Sequence, residues 1–337
     1  MVSLKDIAKT CGVSTATVSK ALNGHKDIGD ETRTKIHQTA KEMGYIPNAA
    51  AKSLKTKYTK NIGVLFADEA QSGLTHDFFS NVLDSFKREV ERQGYDLTFI
   101  NSSKDRPNRM TYLEHSRYRR FDGVVIAVID FDDPEVKELV SSDIPIVTID
   151  HSFNNKTAVV SDNVAGMKEL LTYIYSKGHR KIAYIHGADS AVTKQRLSSF
   201  FKTAEELGIE VPDEYIREAA YRSTKGAYSQ TKELLELPDP PTCILYPDDF
   251  ATFGGIAAID DKGLTIPEDI SVAGYDGIRI SRHMTPMLAT YKQNPQEMGR
   301  KAAVALVSMI EKPKTTVIEQ ITVRGEVFEG ATVRQLG

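Results

Sequence analysis

The chain has 337 residues and a formal net charge of −3, with 26% of its residues charged and 40% hydrophobic. No apolar run is long enough to span a bilayer and no secretory leader precedes Lys5, so we expect a cytoplasmic protein without membrane contacts. The two cysteines fall in different predicted domains and the eight histidines show no metal-ligand spacing, so we expect no metal site and no cofactor.

Motifs of several common enzyme classes are missing from the sequence. It has no phosphate-binding glycine loop followed by Lys-Ser/Thr, no dinucleotide-binding glycine fingerprint and no nucleophile elbow. We therefore expect a binding protein, not an enzyme, and no catalytic residue is assigned.

Positive charge is concentrated in the first sixty residues. This segment contains eleven Lys or Arg against five Asp or Glu, a net charge of +6. Since the whole chain carries −3, residues 61–337 carry −9. A basic head on an acidic body predicts that the head binds a polyanion.

The basic head is predicted to contain three short helices. Apolar residues recur at helical spacing up to Gly12, which ends the first helix, and Ser14 is placed to cap a second over residues 15–22. A third helix is expected over residues 30–43. The first two make a helix-turn-helix, whose second helix would present the side chains of Thr15, Ala16 and Ser19, with Lys20, to a DNA major groove. The alternative is a three-helix cap with a solvated basic face.

Beyond residue 60, short apolar strands alternate with amphipathic helices. The candidate strands cover residues 62–67, 97–101, 123–129, 145–149, 181–186, 242–246 and 270–275. The candidate helices cover residues 78–93, 163–177, 195–207, 225–237 and 251–262. This alternation predicts parallel sheets with right-handed crossovers, and the length predicts two α/β lobes.

Polar residues follow several of these strands, at the end where open parallel sheets bind ligands. They are Asp68, Asn101-Ser102-Ser103, Asp150-His151, Asp248-Asp249 and Tyr275-Asp276. Each one alone is more often a cap or turn residue, but their recurrence predicts a cleft between the lobes. Residues 291–295 would return the chain to the first lobe, a helix over 296–311 would pack there, and residues 318–324 would cross back.

The sequence resembles the lactose-repressor/galactose-repressor family of bacterial transcription regulators along essentially its whole length. In the head the matching runs are LKDIA at 4–8, GVSTATVSKALNG at 12–24 and GYIPNAAAKSL at 44–54. In the sensor they are GHRKIA at 178–183, QRLSSF at 195–200, PTCI at 241–244, IPEDISVAGYD at 266–276 and TPML at 285–288. The resemblance implies a homodimer that binds palindromic operator DNA and a small-molecule effector.

The resemblance also implies roles in DNA binding for individual residues. Thr15, Ala16 and Lys20 would read operator bases. Those expected to contact the phosphate backbone are Thr17, Ser19, Asn23 and Tyr45. Residues 47–54 resemble the family's hinge helix, in which Leu54 would wedge into the minor groove, with Asn48 and Lys52 beside it. Many members have Arg at the position of Lys20, and Lys lacks the bidentate fork that matches guanine, which leaves the preferred operator open.

For the sensor, the resemblance implies a sugar-like effector held between the two lobes. The implied contact residues are Phe78, Asp150, Arg196, Tyr221, Asp248 and Asp276. Charged planar groups would bind hydroxyls while the aromatic rings cover apolar sugar faces. The alternatives are a helix-surface salt bridge for Arg196 and a core position for Phe78. Asp248-Asp249 replaces the Asn-Asp of many members, and an added carboxylate would disfavour an anionic ligand.

Taken together, these patterns predict a three-helix DNA-binding domain (1–46), a hinge helix and linker (47–60) and a two-lobe α/β sensor (61–337) similar to periplasmic binding proteins. The first lobe would contain residues 61–162 and 293–323, and the second residues 163–292 and 324–337. We expect a repressor of carbohydrate-use genes. The alternatives are control by a protein corepressor, or a cytoplasmic sugar-binding protein without operator function.

Overall fold

A computed structural model of the chain describes residues 2–47, 58–67, 73–101 and 109–336. The chain divides into two compact units, a head of residues 1–59 and a sensor of residues 60–337. Within the described residues, none of the helices is long and apolar enough to cross a membrane.

Over residues 2–47, the head contains three helices, α1 (Leu4–Cys11), α2 (Thr15–Leu22) and α3 (Asp30–Glu42). Ser3 and Asp6 form a capping box at the start of α1. Gly12 then adopts a left-handed backbone with φ of 73°, which ends α1 and turns the chain towards α2. The three helices bury a small shared core, contributed by Ile7, Ala8, Cys11, Val18, Ala21, Ile36 and Ala40.

The first lobe of the sensor is a six-stranded parallel sheet with strand order β11-β5-β4-β3-β1-β2. Its strands are β1 (Asn61–Phe66), β2 (Asp96–Phe99), β3 (Gly123–Val128), β4 (Ile146–Ile149), β5 (Thr157–Ser161) and β11 (Gln320–Val323). Its helices are α4 (Asp77–Arg92), α5 (Tyr112–Arg119), α6 (Pro134–Val140) and α11 (Pro295–Glu311). Helices α4 and α11 pack on one face of the sheet, where Phe86, Val90 and Leu306 belong to one buried cluster.

The second lobe repeats this design with strand order β12-β10-β9-β8-β6-β7. Its strands are β6 (Ile182–His186), β7 (Ile216–Glu218), β8 (Cys243–Leu245), β9 (Ser271–Asp276), β10 (Ala289–Lys292) and β12 (Glu326–Phe328). Its helices are α7 (Asn163–Ser176), α8 (Ala191–Leu207), α9 (Thr224–Leu235) and α10 (Asp249–Asp261). All pairings are parallel except that of the edge strand β12 with β10.

The chain passes between the lobes three times, between β5 and α7, between β10 and α11, and between β11 and β12. These three crossovers place the carboxyl ends of both sheets towards the same cleft, which is where open α/β sheets bind ligands. The prediction of a helix-turn-helix head followed by two parallel α/β lobes is confirmed.

Several elements differ from the sequence-based expectation. The sequence patterns do not predict strands β5, β7, β10 and β12 or helices α5 and α6, and α8 begins at Ala191, four residues before the expected start at Gln195. The earlier start has a local cause, because the Ser190 side chain accepts a hydrogen bond from the Thr193 amide and caps the helix.

Candidate DNA-binding helix and effector cleft

Helix α2 presents its first turn to solvent and buries its opposite face. Thr15 and Ala16 are exposed, whereas Val18 and Ala21 are buried in the head core. The Ser14 hydroxyl accepts a hydrogen bond from the Thr17 amide at 3.0 Å, which fixes the start of the helix. This leaves short side chains at the exposed N-terminus of α2, the geometry by which a recognition helix approaches base edges.

Lys20, on the same helix, is held by an acidic residue that sequence reasoning did not identify. Its Nζ lies 2.5 Å from Oδ2 of Asp27, and both side chains are about half exposed. The Lys20 hydrogen bond lowers the pKa of Asp27 below its usual value. A DNA acceptor that approached this ammonium group would therefore compete with Asp27 for its hydrogens.

The remaining DNA-binding candidates divide into those with local structural contacts and those outside the described residues. The Asn23 side-chain amide donates to the Ser19 carbonyl at 2.6 Å and so closes the end of α2. Tyr45 is half-buried against the head core. Asn48, Lys52 and Leu54 lie outside the described residues.

A cavity of about 330 Å³ lies in the cleft of the sensor, with walls from both lobes. Helix α4 and the start of α11 line one side, through Asp77, Phe78, Asn81, Pro295 and Gln296. The end of β9 and the segment after it line the other side, through Asp276, Gly277, Ile278, Arg279 and Arg282. Lys292 and Gln293, at the second crossover, complete the lining. Of the six predicted effector contacts, Phe78 and Asp276 line this cavity directly.

Arg196 is buried beside the cavity, with 4% of its surface exposed. Its Nε donates to Oδ1 of Asn163 at 2.8 Å and its Nη1 donates to the Pro247 carbonyl at 3.0 Å. The guanidinium carbon lies 3.6 Å from the centre of the Tyr275 ring. The alternative of a surface salt bridge is therefore wrong, because the guanidinium is enclosed by amide, carbonyl and aromatic groups.

A chain of hydrogen bonds links the two lobes beneath the cavity. Asp150, at the end of β4, accepts from the Ser161 amide at 2.8 Å. The Ser161 hydroxyl donates to Oε1 of Gln293, and Nε2 of Gln293 donates to Oδ1 of Asp276 at 2.6 Å. Gln293 thus joins Ser161 of the first lobe to Asp276 of the second, a role that sequence reasoning missed because these partners lie 132 and 17 residues away.

Burial and the charge of Arg196 shift the pKa values of this cluster in opposite directions. Burial raises the pKa of Asp150 to about 6 and that of Asp276 well above the usual value, while the charge of Arg196 lowers both. Asp248 and Asp249 raise the pKa of Asp276 further. Burial and the neighbouring carboxylates thus outweigh the charge of Arg196, so Asp276 holds its proton more strongly than a free aspartic acid does.

Asp248 and Asp249 do not line the cavity, because both are used to hold the second lobe together. The Asp248 carboxylate is 2% exposed, accepts from the amides of Arg222 and Ala251 at 2.7 Å each, and caps α10. Asp249 accepts from Thr290, from Ser281 and from the Ile278 amide. The expectation that Asp248-Asp249 adds a carboxylate to disfavour an anionic ligand thus has no support in this geometry.

Phe78 and Tyr221 are each fixed by packing. Phe78 is buried in the first-lobe core and also lines the cavity, so its core role and its cavity role coexist. The Tyr221 hydroxyl lies 2.9 Å from the Thr193 hydroxyl. Its ring covers Gly187 so closely that a Cβ there would lie 2.2 Å from a ring carbon.

Two protein-family models match this chain and together cover most of it. Residues 3–48 match the bacterial regulatory proteins of the lacI family, and residues 171–333 match the periplasmic binding protein-like domain. The "HTH-type transcriptional repressor PurR" of Mannheimia succiniciproducens is 32% identical over 340 residues, which span the full length of both chains.

Two solved structures share the fold of this chain. The lac repressor dimer bound to operator and the anti-inducer ONPF superposes with a TM-score of 0.82, at 24% identity and 99% coverage of each chain. The complex of the transcriptional regulator CelR with cellobiose superposes with a TM-score of 0.71, at 21% identity, covering 98% of this chain and 100% of that one.

The helix-turn-helix head and the two-lobe sensor together define a transcription regulator. The chain belongs to the lacI family of bacterial regulatory proteins, and it is a DNA-binding transcriptional repressor of that family.

Proposed function

We propose that this protein is a homodimeric repressor of carbohydrate-use genes, which binds a palindromic operator through residues 1–57 and a small sugar-like effector between the lobes of its sensor. The observation that carries the proposal is the combination, in one chain, of an exposed recognition helix and a cavity lined by two lobes. The same proposal makes the chain a cytoplasmic protein without enzymatic activity.

The DNA-binding part of the proposal assigns Thr15, Ala16 and Lys20 to base edges. Thr17, Ser19, Asn23 and Tyr45 would contact the phosphate backbone, and the hinge segment 47–60 would place Leu54 in the minor groove with Asn48 and Lys52 beside it. A lysine in the major groove contacts guanine O6 and N7 as a point charge, so its discrimination is weaker than that of a bidentate arginine.

The sensor part of the proposal assigns the effector to the 330 Å³ cavity, a volume at the small end of ligand sites. Asp276 would accept hydrogen bonds from hydroxyl groups, and Phe78 would cover an apolar face. We propose that the part of the site beneath Asp276 and Phe78 is formed by Arg196, Asp150 and Tyr221. Asp248 would act indirectly, by holding the Arg222 backbone next to Tyr221.

Operator affinity would then depend on lobe closure. An effector shifts the equilibrium only by its difference in affinity between two arrangements of the lobes. The solved structure of the lac repressor is a dimer on operator DNA, and we propose the same assembly for this chain.

The experiment that tests the DNA part is selection from a pool of random palindromic duplexes by the full-length chain, followed by affinity measurement at several salt concentrations. We expect enrichment of one palindrome, with an affinity that falls steeply with salt and exceeds that for random duplex by about a thousand-fold or more. Binding of all duplexes with equal affinity would contradict operator function and would favour a sugar-binding protein with another use for its head.

The effector is tested by thermal unfolding against a panel of ribose, glucose, cellobiose, glucuronate, glucose 6-phosphate, adenosine and guanine. Sugar acids and phosphates are included because Arg279 and Arg282 line the cavity. A compound at about a hundred times its Kd should stabilise the sensor by about 2.7 kcal/mol. A sensor that no compound stabilises would favour the alternative of a protein corepressor.

Two substitutions separate the two parts of the proposal. Leu54→Ala should weaken binding to the selected operator and leave effector binding intact. Arg196→Ala should abolish the effector response and leave operator binding intact at temperatures where the sensor is folded. Unchanged operator affinity in the first variant, or a normal response in the second, would contradict the corresponding assignment.

A further inference from the structure

Two arginines of the second lobe, Arg279 and Arg282, line the sensor cavity and are exposed to solvent. Over the part of the chain that the structure describes, neither guanidinium forms a hydrogen bond or lies within 4.0 Å of a carboxylate. Lys292, the third cation of the lining, is instead paired with Glu326 at 2.7 Å. Two guanidinium groups, each with five N–H donors, therefore remain open to a ligand in this cavity.

The two arginines project from one fixed turn. Arg279 directly precedes, and Arg282 belongs to, a short 3₁₀-helix. A 3₁₀-helix has three residues per turn, so side chains three positions apart lie on the same side of it. The turn is held from beneath by the buried Asp249, whose Oδ2 accepts from the Ile278 amide and from the Ser281 hydroxyl at 2.9 Å each. The two guanidinium groups are thus directed to the same side before any ligand arrives.

The first lobe contributes two helix starts to the same cavity. Asp77 and Pro295 are the first residues of α4 and α11, and both belong to the lining. The N-terminus of a helix carries a partial positive charge, which attracts anions within about one turn. The Gln296 side chain gives one of its amide hydrogens to Oδ1 of Asn81 at 3.3 Å and keeps the other, with its carbonyl oxygen, for a ligand.

The charges around the cavity match a ligand with one negative charge. Lys292 is balanced by Glu326, and an ionised Asp276 is balanced by the buried Arg196 beside the cavity. The charges that remain in the lining are −1 on Asp77 and +2 on the two arginines, a net charge of +1. A monoanion would neutralise this charge, whereas a dianion such as a phosphate ester would leave excess negative charge next to Asp77.

We propose that Arg279 and Arg282 form an anion subsite of the sensor cavity and that the effector is a sugar acid, whose carboxylate these two guanidinium groups bind. The hydroxyl groups of the acid would contact Asp276 and Gln296. A guanidinium binds a carboxylate through two parallel N–H···O bonds, which fixes the orientation of the ligand as well as its charge. The proposal rests on the proposed function, because it names the chemical class of the effector that the proposed function assigns to this cavity.

Arg334 provides a matched control in the same lobe. It is exposed, and among the described residues no carboxylate lies within 4.0 Å of its guanidinium, yet it does not line the cavity. Replacing an arginine by glutamine removes the charge and retains a hydrogen-bonding amide. The three variants Arg279→Gln, Arg282→Gln and Arg334→Gln therefore separate charge in the cavity from charge elsewhere on the surface.

The test is isothermal titration calorimetry of the full-length chain and these variants. The probes are glucuronate and galacturonate, their neutral parents glucose and galactose, and the 6-phosphates of both parents. In the wild type, one of the two uronates should bind about ten-fold or more tightly than its parent sugar and than the 6-phosphate. Raising the salt concentration should weaken the binding of the uronate and leave that of the parent unchanged, because salt screens exposed charges.

Arg279→Gln and Arg282→Gln should each reduce the preference for the uronate over its parent by about ten-fold, the loss expected for charge-assisted bonds. Arg334→Gln should retain the full preference. The affinity for the parent sugar should stay unchanged in all three variants, and their Tm should lie within about 2 °C of the wild type, as for other surface substitutions. A folding defect would lower both affinities together and so would not imitate the loss of preference.

A fourth variant tests the charge balance. Asp77→Asn raises the net charge of the lining to +2, so it should improve binding of the 6-phosphate by about five-fold more than binding of the uronate. An equal effect on both ligands would contradict the argument for a monoanion.

The anion subsite would be overturned by equal binding of uronates and parent sugars, by binding of neither uronate, by a preference for the phosphate esters, or by an unchanged preference in both Arg279→Gln and Arg282→Gln. Failure of the proposed function has a different signature. A chain that binds a uronate through these arginines but selects no operator would contradict operator function and leave the subsite standing. A chain that selects an operator and responds only to neutral sugars would do the reverse.

Discussion

The buried guanidinium of Arg196 gives the sharpest quantitative prediction for the sensor. Arg180 provides a matched comparison, because its guanidinium also lies 3.6 Å from a tyrosine ring and donates to two backbone carbonyls. The two arginines differ in burial, since Arg196 is 4% exposed and Arg180 is exposed to solvent. Replacing each by alanine therefore isolates the effect of burial.

Arg196→Ala removes two hydrogen bonds from a charged donor, each worth about 1.5–3 kcal/mol, and a desolvated cation–π contact worth about 2 kcal/mol. The desolvation cost of the guanidinium offsets part of this, but the Asn163 and Pro247 oxygens lose their donor. After this offset a net loss of about 3–5 kcal/mol is expected. Arg180→Ala should cost about 1 kcal/mol or less.

The assay is thermal unfolding of the sensor, where about 2–4 °C of Tm corresponds to 1 kcal/mol for a domain of this size. Arg196→Ala should lower Tm by about 6–20 °C and Arg180→Ala by about 4 °C at most. Similar losses of Tm in the two variants would refute this prediction, because they would mean that burial does not increase the stabilisation that the contacts of Arg196 provide.

Three further predictions concern the head and the cleft. Asp27→Asn should strengthen binding to the selected operator by up to about five-fold in fluorescence anisotropy, because it frees Lys20 from an exposed ion pair; weaker or unchanged binding would contradict the competition. Burial raises the pKa of Asp150 from 3.8 to about 6. Between about pH 4 and pH 6, Asp150 is therefore protonated in the folded chain and ionised in the unfolded chain. Its contribution to stability is thus present below about pH 4 and lost as the pH rises to about 6, by up to about 3 kcal/mol. The free energy of unfolding, measured with urea, should vary less with pH across this range in Asp150→Asn than in the wild type. An equal dependence on pH in the two proteins would exclude Asp150 as its source. Gly187→Ala should displace the Tyr221 ring and lower the free energy of unfolding by about 1–3 kcal/mol in the same assay. An unchanged free energy of unfolding would show that the ring can move freely.

The elements with strong local signals could be predicted from the sequence. The bounds of α2 follow from the cap at Ser14 and agree with the structure, and α11 begins one residue before its expected start. Strand β5 has five buried residues and no alternation, so its pattern could not reveal a strand. Helix α5 escaped prediction because its apolar residues do not recur on one face.

The site was harder to predict than the fold, because its residues acquire their roles through distant partners. The enclosure of Arg196 depends on Asn163 and Pro247, which lie 33 and 51 residues away. Asp249 follows a strand as ligand-binding residues do, yet its acceptor oxygens are used by a segment 29 to 41 residues further on. Position after a strand predicts the cavity-lining Asp276 but equally predicts Asp248 and Asp249, and only the hydrogen-bond partners show which of these carboxyl groups faces the cavity.

The three crossovers of the sensor impose an order on folding during synthesis. The first-lobe sheet needs β11 and the second-lobe sheet needs β12, so neither sheet is complete until residues 320–328 have left the ribosome. The head has its own core and is made first, as expected for domains that fold during translation. A nascent chain therefore carries a folded head through most of its synthesis before it carries a complete sensor.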